Sequence, residues 1–140
     1  MLKVIEGPTI LAGESLSDVV DCSAGELVRI TMPEGWTEAP LTFEFSTDGM
    51  FFNPMYKLDG FAVTIDVVVP GSGVIIPANV GHAIAFLKFR SGTEGNPVPQ
   101  EADRRFAVAI LTAAEASAPA RSASPKRSAK KAPAKKSRKK

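Results

Sequence analysis

Over much of the first 112 positions apolar and polar residues alternate with a period of two, in short runs. Leu41, Phe43 and Phe45 fall on one side of Leu41–Ser46, with Thr42, Glu44 and Ser46 on the other. Phe61, Val63, Ile65, Val67 and Val69 repeat the pattern against Thr64 and Asp66. Phe106, Val108 and Ile110 repeat it again, with the small residues Ala107 and Ala109 opposite. Successive side chains of a strand point to opposite faces, so each run predicts a strand with one buried face. In Ala83–Arg90 both faces are largely apolar, which predicts a strand that is central or packed on both sides. The full set of expected strands is Lys3–Glu6, Leu16–Asp21, Glu26–Met32, Leu41–Ser46, Phe61–Val69, Val74–Ile76, Ala83–Arg90 and Arg104–Thr112. The side chains expected in the core are Phe43, Phe45, Ile65, Val67, Phe86 and Val108.

Chain breakers separate these runs: Gly25, Pro33-Glu-Gly35, Asp48-Gly49, Asp59-Gly60, Pro70-Gly-Ser-Gly73, Pro77-Ala-Asn79 and the stretch from Gly92 to Pro97. Asp-Gly between two strand-like runs signals a tight turn, because glycine takes a positive φ without a Cβ clash. Eight short strands in a domain of this size predict an all-β fold, a β-sandwich of jelly-roll type. No stretch before Thr112 has helical periodicity, and no segment repeats.

Composition changes abruptly after Thr112, which divides the chain into a β domain, 1–112, and a tail, 113–140. The tail is Ala, Ser, Pro, Lys and Arg almost throughout and has no aromatic residue. Such a segment cannot bury enough apolar surface to offset the entropy of ordering, and disorder is expected of it when free. The overall charge of +2 conceals the same division. From Ser117 to Lys140 there are ten basic residues and no acid: Arg121, Lys126, Arg127, Lys130, Lys131, Lys135, Lys136, Arg138, Lys139 and Lys140. Met1–Ala116 holds seven basic residues and all fifteen acids, a net −8. The tail resembles the basic tails of linker histones in composition. It is expected to attract polyanions, either nucleic acid by counterion release or an acidic protein surface, without reading bases.

Candidate chemistry is sparse. His82 is the only histidine and Cys22 the only cysteine. One of each cannot build the usual zinc ligand set, and a lone cysteine forms no internal disulfide. His82 reads as a turn or surface residue. Cys22, beside Asp21, reads as a quiet structural thiol. Paired carboxylates can serve acid–base catalysis or bind calcium, and Asp18 with Asp21 and Asp48 with Asp59 are the candidates. Asp48 and Asp59 each precede a glycine, however, and turn formation accounts for both. Pro70-Gly-Ser-Gly73 leads into a strand and not a helix, so it lacks the dipole and amides that hold phosphate. No catalytic residue, metal or cofactor is expected. The N-terminus does not read as a secretory signal, and no apolar run approaches the roughly 18 residues of a membrane helix. Four aromatic residues remain as candidates for ligand or partner contact: Trp36, Phe51, Phe52 and Tyr56. Trp36, on a turn, suits either stacking on a sugar ring or capping the core.

A series of short motifs occurs in order along the domain: Leu16-Ser-Asp18, Met32-Pro33, Trp36-Thr37 with Ala39, Leu41-Thr-Phe43, and Ser46 with Asp48-Gly49. It continues with Leu87-Lys88, Arg90-Ser-Gly-Thr93, Pro97-Val98, Gln100 and Ala102-Asp-Arg104. In this order they resemble a group of small structural proteins of tailed bacteriophages, over roughly Ser15–Leu111. The resemblance implies a virion component made in the host cytoplasm, such as a head-decoration or spike subunit. It also implies a homo-oligomer that docks on the major capsid protein or another virion protein. Ser46-Thr-Asp-Gly49 resembles a turn of discoidin-like sugar-binding sandwiches, which keeps a glycan-binding module open as an alternative. A nucleic-acid-binding protein acting through its tail is the other.

Overall fold

The computed structural model describes residues 1–112; the expected tail lies outside the described residues. Eight strands form in chain order: β1 (Leu2–Ile10), β2 (Val20–Asp21), β3 (Gly25–Thr31), β4 (Leu41–Ser46), β5 (Asn53–Pro54), β6 (Gly73–Ile75), β7 (Phe86–Ser91) and β8 (Arg104–Thr112). A single helical turn, α1 (Ala78–Gly81), lies between β6 and β7. The strands make two four-stranded sheets, β1-β8-β3-β6 and β2-β7-β4-β5, and every pairing is antiparallel. The two sheets share one core, giving an all-β, sandwich-like architecture. The pairings are nested: β1 with β8, β2 with β7, β3 with β6 and β4 with β5. Two lateral pairings, β8 with β3 and β7 with β4, complete the sheets.

The core is the inward row of each central strand. Leu27 and Ile30 of β3 meet Phe106, Val108 and Ile110 of β8 from one sheet, and Leu41, Phe43, Leu87 and Phe89 enter from the other. Phe89 and Phe106 cross between the sheets with ring centres 4.7 Å apart, edge to face. Phe43 packs edge to face on Phe89 at 5.3 Å.

The strands Leu41–Ser46 and Arg104–Thr112 have the expected bounds, and β3 and β6 lie within one residue of theirs. Four expectations are corrected. Phe61–Val69 is not one strand with one inward face. Only Ile65, opposite Leu41, and Ala62, opposite Tyr56, make bridges, and the chain then leaves the sheet at Asp66 to reach the other one. Phe61, Val67 and Val69 are consequently exposed, Val67 by 80 %. Alternation here reflects β-branched composition in a crossing segment, without burial behind it. In Leu16–Asp21 only the last two residues are regular strand. The Ser17 hydroxyl accepts the Phe89 N–H, and Asp18 N–H donates to Thr9 O, so the stretch switches partners midway. The helical turn α1 was not expected; one turn is too short to show periodicity. It seats closely on β3, where a Cβ on Gly81 would overlap Leu27 O. Finally, Phe45, Ile65 and Phe86 are only half-buried, while outward-facing Thr42 is buried because its hydroxyl donates to Gly92 O.

Phe43→Ala is expected to lower unfolding free energy by about 3–5 kcal/mol. Val67→Ser should change it by less than about 0.5 kcal/mol. Urea unfolding followed by circular dichroism compares the two, and the reverse ranking would mean the inward face is misassigned.

Candidate functional site

The aromatic candidates separate into three environments. Trp36 is half-buried, its Nε1–H donates to Ala39 O at 3.0 Å, and its ring packs edge to face on Phe106. That geometry caps the core. Phe52 is half-buried beneath the Lys88 ammonium, 4.6 Å from its ring centre. Phe51 and Tyr56 are exposed, on opposite sides of β5 in the chain.

The loop carrying Phe51 is held by one carboxylate. Asp48 Oδ1 accepts the N–H groups of Met50 at 2.8 Å and Phe51 at 3.1 Å, and the Ser46 hydroxyl at 2.9 Å. Gly49 supplies the left-handed residue this turn needs, with φ of +81°. These donors favour the charged form and hold the Asp48 carboxyl below its usual range, the two backbone amides contributing most.

Tyr56 opens a hairpin. Lys57 N–H donates to Phe61 O, Gly60 N–H to Lys57 O, and Asp59 Oδ1 accepts the Phe61 N–H. Leu58 stands fully exposed at the tip, between Lys57 and Asp59, which pair at 3.6 Å. Between this hairpin and α1 runs an open groove of about 620 Å³, floored by Phe45 and Met55 and walled by Tyr56, Leu58, Val80 and Ala83. Next to it, a chamber of about 200 Å³ enters between the two sheets. Leu27, Ile30, Phe43, Met55, Ile84 and Leu87 give it a buried lining, and Ile65 and the exposed Ile75 also border it. Thr64 is its one hydroxyl-bearing residue, and that hydroxyl donates to Ala62 O.

Sequence reasoning picked out Tyr56 but missed the exposure of Leu58, Phe61, Val67, Val69 and Ile75. Five large apolar residues at least half exposed within eighteen positions are the signal that alternation obscured.

The remaining candidates do not converge. His82 is exposed at the end of α1, its Nε2 3.0 Å from Glu26 Oε1. Cys22 is fully buried, and burial, with Asp21 adding to it, pushes its thiol up to about 12. Asp18 and Asp21 line a second groove beside β1 with Glu6 and Lys3. Asp18 accepts the Thr9 N–H, and Ser23 caps Asp21 and holds its carboxyl down. Among the described residues no three His, Cys, Asp or Glu side chains stand together as a metal site, and no helix is long and apolar enough to cross a membrane.

Many of the ordered motifs form one hydrogen-bonded cluster. Gln100 is fully buried; its Oε1 accepts Thr37 N–H and Arg104 Nε–H, and its amide nitrogen donates to Thr37 O and Ser91 Oγ. All four positions of the amide are filled. The motif residues Thr37, Ser91, Gln100 and Arg104 are thus tied to one another as framework around a fully satisfied amide. No protein-family model, curated protein or solved structure matches the chain.

Two outcomes test this geometry. Cys22 is expected to resist thiol reagents at pH 8 until the protein is unfolded, since a thiol with a pKa near 12 holds almost no thiolate there. Rapid labelling of the native protein would contradict its burial. For Asp48 the folded pKa lies below the unfolded value of about 3.9, so its hold on the loop is fully present above that pH and is lost as pH falls through the lowered value. The Met50 and Phe51 amide resonances should report a midpoint below the ordinary carboxylate range, and a midpoint at or above it would overturn the assignment.

Proposed function

We propose that this protein is a jelly-roll β-sandwich acting as a non-enzymatic structural component of a tailed-phage virion, a head-decoration or head-associated subunit that works by assembly. The observation that carries the reading is the nested pairing of β1 with β8, β2 with β7, β3 with β6 and β4 with β5. That is the pattern of one long antiparallel hairpin rolled across two sheets, an arrangement that recurs in viral capsid and lectin domains. The motif order along Ser15–Leu111 supports the same reading, since its residues build the framework around Gln100. A binding role over catalysis is supported by His82, paired only to Glu26, and by the protonated, buried Cys22. Assembly is favoured over glycan binding because Trp36 is half-buried and committed to Phe106 and Ala39 O, and the exposed residues that follow Tyr56 in the chain are mostly apolar. The basic tail adds a polyanion-binding arm, for nucleic acid or an acidic protein surface.

Cryo-electron microscopy of virions from the phage carrying the gene is the decisive measurement. Density for this sandwich repeated with the head's symmetry is expected. Virions lacking the protein, from infected cells that contain it in abundance, would sink the reading. A chain ending at Thr112 should still enter virions while losing salt-dependent binding to duplex DNA. In the full chain each neutralised phosphate adds about −0.9 to the slope of log K against log salt.

A further inference from the structure

Six large apolar residues between Tyr56 and Ile75 lie at least half exposed: Tyr56, Leu58, Phe61, Val67, Val69 and Ile75. Their exposures run from 53 % for Tyr56 through 70 % for Phe61 and 75 % for Ile75 to full exposure for Leu58. A large apolar residue in the open presents roughly 150–200 Å², so together they leave about 800 Å² in water. The largest apolar patch of an ordinary monomer is about 300–600 Å², whereas about 800 Å² is what each partner buries in a stable protein interface.

Tyr56, Leu58 and Phe61 share one hairpin, and Ile65 and Ile75 both border the 200 Å³ chamber, Ile75 from β6, where it pairs with Arg29. Val67 and Val69 lie on the chain between them, and Met32 N–H and Gly71 N–H fasten the turn that follows, to Ser72 O and Pro33 O. β5 and β6 are each an edge strand of their sheet.

We propose that this face binds the same face of a second copy of the chain, forming a two-fold dimer in which apolar residues near Leu58 enter the partner's chamber. The proposal rests on the assembly reading above and names the surface it uses. Area is the first argument, since the patch alone matches one side of a standard interface. Charge is the second. The segment carries only Lys57, Asp59 and Asp66, and Lys57 pairs with Asp59, so a single uncompensated carboxylate per copy leaves little repulsion where two copies of an acidic domain meet. One lysine is too little for a nucleic-acid or anionic-lipid surface. The chamber is the third. At about 200 Å³ and lined almost wholly by apolar groups, it exceeds the roughly 150 Å³ that holds a benzene ring, so it accommodates one branched or aromatic side chain. Fully exposed Leu58, on a hairpin braced by Asp59, is a preorganised knob for such a hole. A self-complementary patch closes as a dimer, whereas a head-to-tail contact would leave most of it wet.

Sedimentation velocity on the full chain at micromolar concentrations tests this, beside the variants Leu58→Asp, Ile75→Asp and Val4→Asp. The wild type and Val4→Asp, whose change lies on exposed β1, should sediment as dimers. Leu58→Asp and Ile75→Asp should raise the dissociation constant at least tenfold, with circular dichroism and melting unchanged because both side chains already sit in water. A monomeric wild type overturns the proposal, and so does a dimer that survives both patch variants or is lost in Val4→Asp. In either case incorporation into virions still tests the assembly reading independently. If a patch variant melts early, Phe61→Ser provides the same comparison with a smaller change.

Discussion

The ring contact between Phe89 and Phe106 is the point on which both sheets depend. Phe89 belongs to β7 and Phe106 to β8, the central strands of opposite sheets, and the two rings meet edge to face at the middle of the core. Phe43 extends the stack along its own sheet, and Trp36 closes it at the end. Aromatic pairs of this geometry add about 0.5–1.5 kcal/mol beyond area burial. Their larger effect is geometric, because the Phe89 and Phe106 rings meet across the core and set how closely the sheets approach there. The Gln100 cluster begins beside them, since Trp36 and Thr37 are neighbours and Ser91 follows Phe89 by two residues. A fully bonded polar node therefore adjoins the aromatic stack and ties the loops of that end together.

The two ends of the sandwich differ as a result. Around Trp36, Gln100 and Arg104, loops are tied down by buried side-chain hydrogen bonds. From Met50 to Val80 the regular strands are two and three residues long, and apolar side chains face outward. Few buried contacts mean a lower free energy of local opening, which is where a fold can adapt to a partner without disturbing its core. A rigid scaffold with recognition confined to one less constrained side is a common division of labour in β proteins.

The sheets were legible in the sequence where a strand buries one face. Leu41–Ser46 and Arg104–Thr112 have this form, and their bounds came out as the alternation predicts. Phe61–Val69 carries the same pattern yet crosses between sheets, because alternation reports side-chain chemistry and cannot tell which face finds a neighbour. β2 and β5, two residues each, owe their place to β7 and β4 and carry no pattern of their own. The motifs from Leu16 to Arg104 were legible as an ordered set. Their role as framework emerged only when Gln100 was seen to join segments more than sixty residues apart. Of the candidate surface, Tyr56 was legible as an aromatic near a turn. Val67 and Val69 read as inward on alternation, which is blind to whether that face finds a neighbour, and Ile75 read only as part of a short strand.

The nesting of strands also bears on how the chain is made. β8 is the last of the eight strands to leave the ribosome, yet it lies between β1 and β3 and holds Phe106. Until it arrives, β1 has no strand partner, β3 has only the three-residue β6, and the aromatic stack lacks its central ring. Folding must therefore wait for nearly the whole domain, and contacts this distant in sequence form slowly. A nascent chain stalled before Arg104 would present two unsatisfied strand edges and an open core. In such a protein the hazard of misassembly falls before release from the ribosome, and a domain of this topology gains little by folding in stages.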